Sequence, residues 1–382
     1  MKEALVIVYS DLKHDARVSR QIGFLSKDFK VTAAAFGDNG KTDHTFIDLK
    51  PGKLTRSAKI KMALWSVLRL YGHFWNTFHP LNEDTEQLSK KSWDLIIAND
   101  VDTLPAAFYI KGNSGAGVIL DAHEYAPRQF ENLLWWRLIF QPAVYWICNH
   151  FLPQVDLLFT VGRGVANEYE KNFGIDSVIV TNAPPFQGQK PSALKQGKIR
   201  LVHHGIANPS RRPDLMLEMM KKLDERFTLD LYLLTSSYAS AGTIRYIQAL
   251  KERFSIDKRI RIHDPLPQEK IVPTLNQYDI GIFLLPPINF NYANALPNKF
   301  FDFIQAGLAV AIGPSPEMAS YLNTYRNGVV SEDFEAVELA SLLNKLTESD
   351  IEILKANSAK AAGELCAEKN EVIFRQAINS IS

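Results

Sequence analysis

Short runs of almost uninterrupted apolar, β-branched residues recur along this chain with helical stretches between them, and that alternation limits the fold more than any other feature. The runs are residues 4–9, 30–35, 94–98, 118–121, 157–161 and 177–181, then 199–203, 229–234, 259–263, 279–285 and 308–312. Strands buried on both faces read this way, which predicts parallel sheets covered by helices. Between the two sets lies Asn182-Ala-Pro-Pro-Phe-Gln-Gly-Gln-Lys-Pro-Ser, whose Pro, Gly and Gln content reads as a connection between domains. The simplest account is an α/β chain of two doubly wound Rossmann-like domains facing a cleft. The expected division is 1–182, a linker at 183–196, and 197–370, with a last helix at 371–382 crossing back onto the first domain.

Composition narrows the function. Lys and Arg number 43 against 42 Asp and Glu, a net charge of +1, so no overall field draws the chain to nucleic acid. A hydrophobic fraction of 46% with 22% charged residues excludes an intrinsically disordered chain. Cys148 and Cys366 cannot build a disulfide framework and have no metal-ligand spacing, which suits a reducing, cytoplasmic setting. The apolar run 4–9 is too short for a signal peptide, so the mature chain is expected to start at Met1. The stretch 133–152 is interrupted by Arg137, Gln141, Pro142, Asn149 and His150 and reads as one buried or interfacial helix instead of a membrane span.

In doubly wound sheets ligands bind beyond the carboxyl ends of the strands, so the loops there are the ones to read. Gly162-Arg163-Gly164-Val165-Ala166-Asn167 follows a strand but has Asn where a dinucleotide fingerprint needs its third glycine. Asp100 and Asp102 could hold a divalent cation with a diphosphate. The preferred reading is that Asp102 caps a helix starting at Thr103 while Asp100 shapes the turn, and no metal is assigned. In Asp121-Ala122-His123-Glu124 the histidine can orient a hydroxyl or carry a proton, or it can pin the strand to its neighbour. After the strand at 199–202, Gly205 permits close backbone approach and Arg211 can fork two hydrogen bonds to a phosphate.

The segment Asn294-Ala-Leu-Pro-Asn-Lys-Phe-Phe-Asp302-Phe-Ile-Gln-Ala-Gly307 is the most informative. Pro297 suits a first helical turn, leaving free N–H groups beside Asn298 and Lys299 as an anion site. Asp302 falls on the same helix face, where a carboxylate can accept ribose hydroxyls. Gly307 stops the helix before the next strand. Together these point to a nucleotide diphosphate held at a helix N-terminus.

The run from Pro297 to Val310, with Pro316-Glu317 and Tyr325-Arg-Asn-Gly328 after it, resembles the donor-site signature of family-four retaining glycosyltransferases of the GT-B fold, of the kind that build bacterial cell-surface polysaccharides. Asp15-Ala-Arg17-Val18 with Gln21 and Leu25, Asp121-Ala-His123-Glu124, and His204-Gly205 with Arg211 are similar to that family's other landmarks, in order. The resemblance implies that Arg211 and Lys299 bind the donor diphosphate close to Gly205. It implies that Asp302 holds the ribose, that Asn294 replaces the glutamate that contacts the sugar, and that the backbone at 263–266, from His263 to Leu266, holds the base. His123, helped by Glu124, would position or deprotonate the acceptor. The implied reaction is metal-independent hexosyl transfer from a nucleotide-diphosphate sugar to a saccharide or lipid-linked saccharide hydroxyl, with retention and without a further cofactor. Two alternatives stay open, a sugar-nucleotide 2-epimerase of the same fold and a non-catalytic nucleotide-sugar-binding protein, though the motifs occurring together and in order favour the transferase.

Residues 53–78 read as one amphipathic helix. Ile60, Leu64, Val67, Leu68, Tyr71, Phe74, Trp75 and Phe78 keep helical spacing, and Lys53, Arg56, Lys59 and Lys61 gather at its N-terminal end. With the aromatic stretch 133–152 it suggests peripheral contact at the inner face of a membrane, against the alternative that both stripes are core.

Overall fold

The computed structural model describes residues 1–50, 54–234 and 241–381, which form two α/β units. The first comprises Met1–Thr181, Asn289–Asn291 and the chain from Asn370 on; the second comprises Asn182–Ile288 and Tyr292–Lys369.

The first unit holds a seven-stranded parallel sheet of β1 (Lys2–Ile7), β2 (Phe29–Ala35), β3 (Thr45–Asp48), β4 (Leu95–Asn99), β5 (Gly117–Ala122), β6 (Leu157–Thr160) and β7 (Ser177–Ile179). Its order is β3-β2-β1-β4-β5-β6-β7, so the winding reverses between β1 and β4. Side chains alternate between two cores, as the pleat requires. Leu5, Ile7, Ile96 and Leu120 face one, while Ala4, Val6, Ile97 and Ile119 face the other. The second core is closed by the last helix, Ala367–Asn379. Phe374 stacks on Phe159 at 4.8 Å and tilts against Phe24 at 5.7 Å, and Lys27 pairs with Glu371 at 2.5 Å.

The second unit holds β8 (Ile199–Ile206), β9 (Phe227–Leu234), β10 (Ile260–His263), β11 (Ile280–Phe283), β12 (Ala309–Ile312) and β13 (Gly328–Val330) in the parallel order β10-β9-β8-β11-β12-β13. Its reversal lies between β8 and β11. The stretch expected as a linker carries neither helix nor strand and is tied along this unit. Ala183 is buried, Pro184 O accepts from Ala367 N–H at 2.9 Å, and Gln187 N–H donates to Gln305 Oε1 at 3.1 Å.

Several sequence expectations are corrected. The helix expected over 53–78 is two helices, Arg56–Val67 and Tyr71–Phe78, and Lys53 lies outside the described residues. Arg69 adopts a left-handed φ of 57°, and Leu70 N–H closes back on Trp65 O at 2.8 Å, which turns the chain as a helix C-terminus does. The stretch 133–152 likewise splits into Leu134–Ile139 and Gln141–Phe151, because Pro142 has no N–H to continue the ladder and instead sits in the first turn of the second helix. The strand expected to end near His203 continues to Ile206, so His203, His204 and Gly205 are part of β8.

All six tryptophans fall between Trp65 and Trp146, in the first unit, so fluorescence unfolding reports on that unit. Truncating Phe374 leaves a cavity between two aromatic rings, and Phe374→Ala is expected to cost about 3 kcal/mol. In urea titrations followed by tryptophan fluorescence the midpoint should fall; an unchanged midpoint would show that the last helix adds nothing to that core.

Candidate functional site

Each sheet brings polar side chains to its carboxyl edge at the reversal of winding, and the two edges carry different chemistry. In the second unit, β8 turns at Gly205 with φ +126°, where a Cβ would lie 2.8 Å from Lys299 Nζ. Lys299 comes from the helix Asn298–Gln305, which is buried nearly all round through Phe300, Phe301, Phe303 and Ile304. The helix lies close on β11 because Gly281 leaves room for the Phe303 ring, which a Cβ would overlap at 2.3 Å. Its position, more than helix propensity, therefore delivers a buried ammonium to the end of β8.

The ammonium is poorly compensated. Nζ lies 3.3 Å from His203 Nε2 and 4.3 Å from the Phe283 ring centre. His203 Nδ1 is 2.9 Å from Ile282 O, so the ring donates from Nδ1 and turns its Nε2 lone pair to Lys299. Burial, reinforced by Arg211, pushes the Lys299 pKa well below its ordinary value, with Asp302 pulling the other way. Burial and then Lys299 push His203 well down, and the same causes take His204 down to about 3. Both rings are thus neutral at physiological pH. His204 Nε2 stands 3.4 Å from Asp302 Oδ2, so the residue expected at the ribose sits beside this cluster.

Arg211 ends a 3₁₀ turn, Pro209–Arg211, shaped by Asn208, whose side chain accepts from Ser210 N–H at 3.0 Å. Tyr292 holds the turn from the side, its hydroxyl 2.9 Å from Ser210 Oγ. The half-buried Arg211 guanidinium makes no hydrogen bond or ion pair among the described residues. Asn298 is exposed at the helix start and Asn294 is half-buried in the segment before it. His263 lies at the end of β10, its Nε2 2.6 Å from Asp230 Oδ1 and its ring stacked on Tyr232 at 4.7 Å. Leu266 follows in the loop, half-buried.

In the first unit, positive charge is consumed inside the fold. Asp15 caps the helix Ala16–Leu25, and from it Arg17 and Gln21 reach Asp121 at the end of β5, at 2.6 and 2.8 Å. His123 then projects beside carboxylates. Its N–H donates to Asp100 Oδ1 at 3.1 Å, Nδ1 is 3.5 Å from Asp100 Oδ2, and Nε2 is 3.9 Å from Asp121 Oδ2. The Glu124 carboxylate accepts from Asn291 Nδ2 at 3.3 Å.

Asp102 does not cap a helix, which corrects the expectation. The turn Val101–Thr103 starts from Asp100 with no side-chain cap, and Thr103 Oγ1 donates to Asp100 O at 2.8 Å. Asp102 Oδ2 lies 3.3 Å from His79 Nε2, and His79 stacks on Tyr9 at 4.0 Å. Asp100 keeps a left-handed φ of 63°, a conformation costly for a residue with a Cβ. Nearly half of its side-chain surface, 46%, stays accessible. Even so, burial of the recess raises its pKa and His123 lowers it, with the upward shift prevailing. Sequence reading did not single out Tyr9, His79, Tyr232 or Asp230. Their partners lie far along the chain, and only the strand order brings them together.

No protein-family model matches the sequence, and no curated protein sequence does. Among solved structures the chain is similar to HepE of Anabaena in complex with UDP and glucose, at 13% identity over 100% of both chains with a TM-score of 0.71. It is similar to sucrose-phosphate synthase of Thermosynechococcus elongatus at 12% identity, over 100% of this chain and 99% of that one, with a TM-score of 0.75. It is also similar to WaaG, a glycosyltransferase involved in lipopolysaccharide biosynthesis, at 12% identity, over 97% and 99%, with a TM-score of 0.63.

A lysine held short of its charge penalises folding below its ordinary pKa of 10.5. The unfolded chain binds the proton more readily, so the penalty is complete below the depressed folded pKa and fades as pH rises towards the ordinary one. Lys299→Met is therefore expected to raise Tm by a few degrees at neutral pH, with the gain shrinking in alkaline buffer. A variant that is less stable at neutral pH, or whose gain grows with pH, would contradict this. In its architecture, two doubly wound α/β domains in series along its length, the chain has the GT-B fold.

Proposed function

We propose that this protein is a retaining glycosyltransferase that moves a hexosyl group from a nucleotide-diphosphate sugar to a hydroxyl of a saccharide or lipid-linked saccharide. The observation that carries the reading is the pair of cations at the end of β8. Lys299 is buried and poorly compensated, the Arg211 guanidinium makes no hydrogen bond or ion pair among the described residues, and Gly205 leaves the backbone open beside them. A diphosphate supplies what that arrangement lacks. The same fold holds UDP and glucose in HepE, which supports the choice of ligand.

In the reaction the bond from the anomeric carbon to the diphosphate oxygen breaks, and the acceptor oxygen bonds to the same face of the sugar. The acceptor proton passes to the departing phosphate oxygen or to His123. Negative charge grows on the diphosphate as it leaves, and Lys299 and Arg211 stabilise it there. Asp302 accepts the ribose hydroxyls and Asn294 hydrogen-bonds the sugar. The backbone from His263 to Leu266 holds the base, with the His263 ring fixed by Asp230 and Tyr232. In the first unit, His123 orients or deprotonates the acceptor, and Asp100, which touches it, sets its orientation. The reading requires no metal.

UDP-, GDP- and other nucleotide sugars, screened with EDTA throughout, should divide into one class that raises Tm and is slowly hydrolysed and others that do neither. Lys299→Ala and Arg211→Ala should each weaken that binding about tenfold or more. His123→Gln should keep donor affinity and lower transfer to a saccharide acceptor by about 10²-fold or more. Donor isomerised without acceptor would favour the epimerase, and donor bound but never consumed, even with acceptor, a binding protein. No stabilisation by any nucleotide sugar would overturn the reading.

A further inference from the structure

We propose that one face of the first unit, made by the helices Arg56–Val67 and Leu134–Ile139, docks in the plane of an anionic lipid surface. Of the two stripes read from the sequence, half is core. Phe74, Trp75, Trp136, Ile147 and Cys148 are buried. The other half faces outward. On the first helix and the turn after it, Ile60, Leu64, Val67 and Leu68 are exposed, Val67 by 79%. On the second, Leu134, Trp135 and Leu138 are exposed, Leu134 and Leu138 by 65% each. The helices lie side by side, since Ser66 Oγ donates to Ile139 O at 2.9 Å. These side chains therefore belong to one apolar ridge, larger than the scattered exposed apolar residues of an ordinary surface.

The charge around the ridge selects the occupant. Arg56, Lys59, Lys61, Arg69 and Arg137 are all exposed, and none makes an ion pair among the described residues. No Asp or Glu occurs between Asp48 and Glu83, nor between Glu131 and Asp156. Arg56, Lys59 and Lys61 lie in the first half of their helix, where cations oppose the helix dipole and an outside anion relieves them. A second copy of this chain on the same ridge would set these cations against one another. Anionic headgroups would instead neutralise them, while the leucines and Trp135 enter the boundary between headgroups and acyl chains. No helix among the described residues is long and apolar enough to cross a membrane, so the contact runs along the surface. In the transferase reading, and resting on it, this face holds the enzyme against a lipid-linked acceptor. Vesicle binding needs no nucleotide, so the two readings fail separately.

The test is sedimentation of the full chain with vesicles of phosphatidylcholine alone or with about one-third phosphatidylglycerol, at low and high salt. Wild type should bind the anionic vesicles about tenfold better than the neutral ones, and less at high salt. Leu64→Asp/Val67→Asp/Leu138→Asp and, separately, Arg56→Gln/Lys59→Gln/Lys61→Gln should each lose about tenfold in binding. Tryptophan-fluorescence unfolding midpoints show whether both remain folded, and the charge variant stands if the apolar one does not fold. Equal sedimentation with both vesicle types would overturn the proposal, as would retained binding by folded variants. So would a lipid-free dimer, seen by light scattering, that the apolar variant splits.

Discussion

At the end of β8 an ammonium occupies the space that a side chain on Gly205 would fill, 2.8 Å from where its Cβ would stand. Burying a charge is costly unless it is paired, and the fold has committed several elements to doing so here. Gly281 lets Phe303 down onto β11, the aromatic helix Asn298–Gln305 follows, and Lys299 arrives under Arg211 with only neutral imidazoles and Asp302 nearby. A stable fold gains nothing from that arrangement. An anionic ligand does, because each cation lowers the cost of binding it and the ligand removes the repulsion between them.

The first sheet has the same winding but the opposite electrostatic outcome. There the guanidinium of Arg17 is spent on Asp121 and the carbonyl of Val180, and Gln21 also donates to Asp121. What remains at the edge is His123 among carboxylates, with Asp102 against His79. One topology thus carries two sheet edges of different electrostatic character, set by whether the buried cation is paired within the fold.

How much of this was legible in the sequence follows from which interactions are local. Strands buried on both faces announce themselves, so most of both sheets could be placed. β3 and β13 could not, since both are short edge strands with mixed exposure, and Thr45-Phe-Ile-Asp reads like a loop. The break at Arg69 was hidden because an arginine at positive φ leaves no local signal. Lys299, Asp302 and Gly205 were legible because a helix start and a strand end impose spacing. The Asp100–His123 contact was not, since the pair lie 23 residues apart and meet only because β4 neighbours β5. For the same reason Asp102 looked like a helix cap until its distant partner, His79, was in view.

Everything proposed for the second unit turns on Lys299 and Arg211 acting together on a diphosphate. Calorimetric titration of wild type and Lys299→Met with the most stabilising nucleoside diphosphate, at about pH 8 where the free diphosphate is ionised, measures this directly. The expected result is binding that Lys299→Met weakens about tenfold or more. Binding that Lys299→Met leaves intact would contradict it.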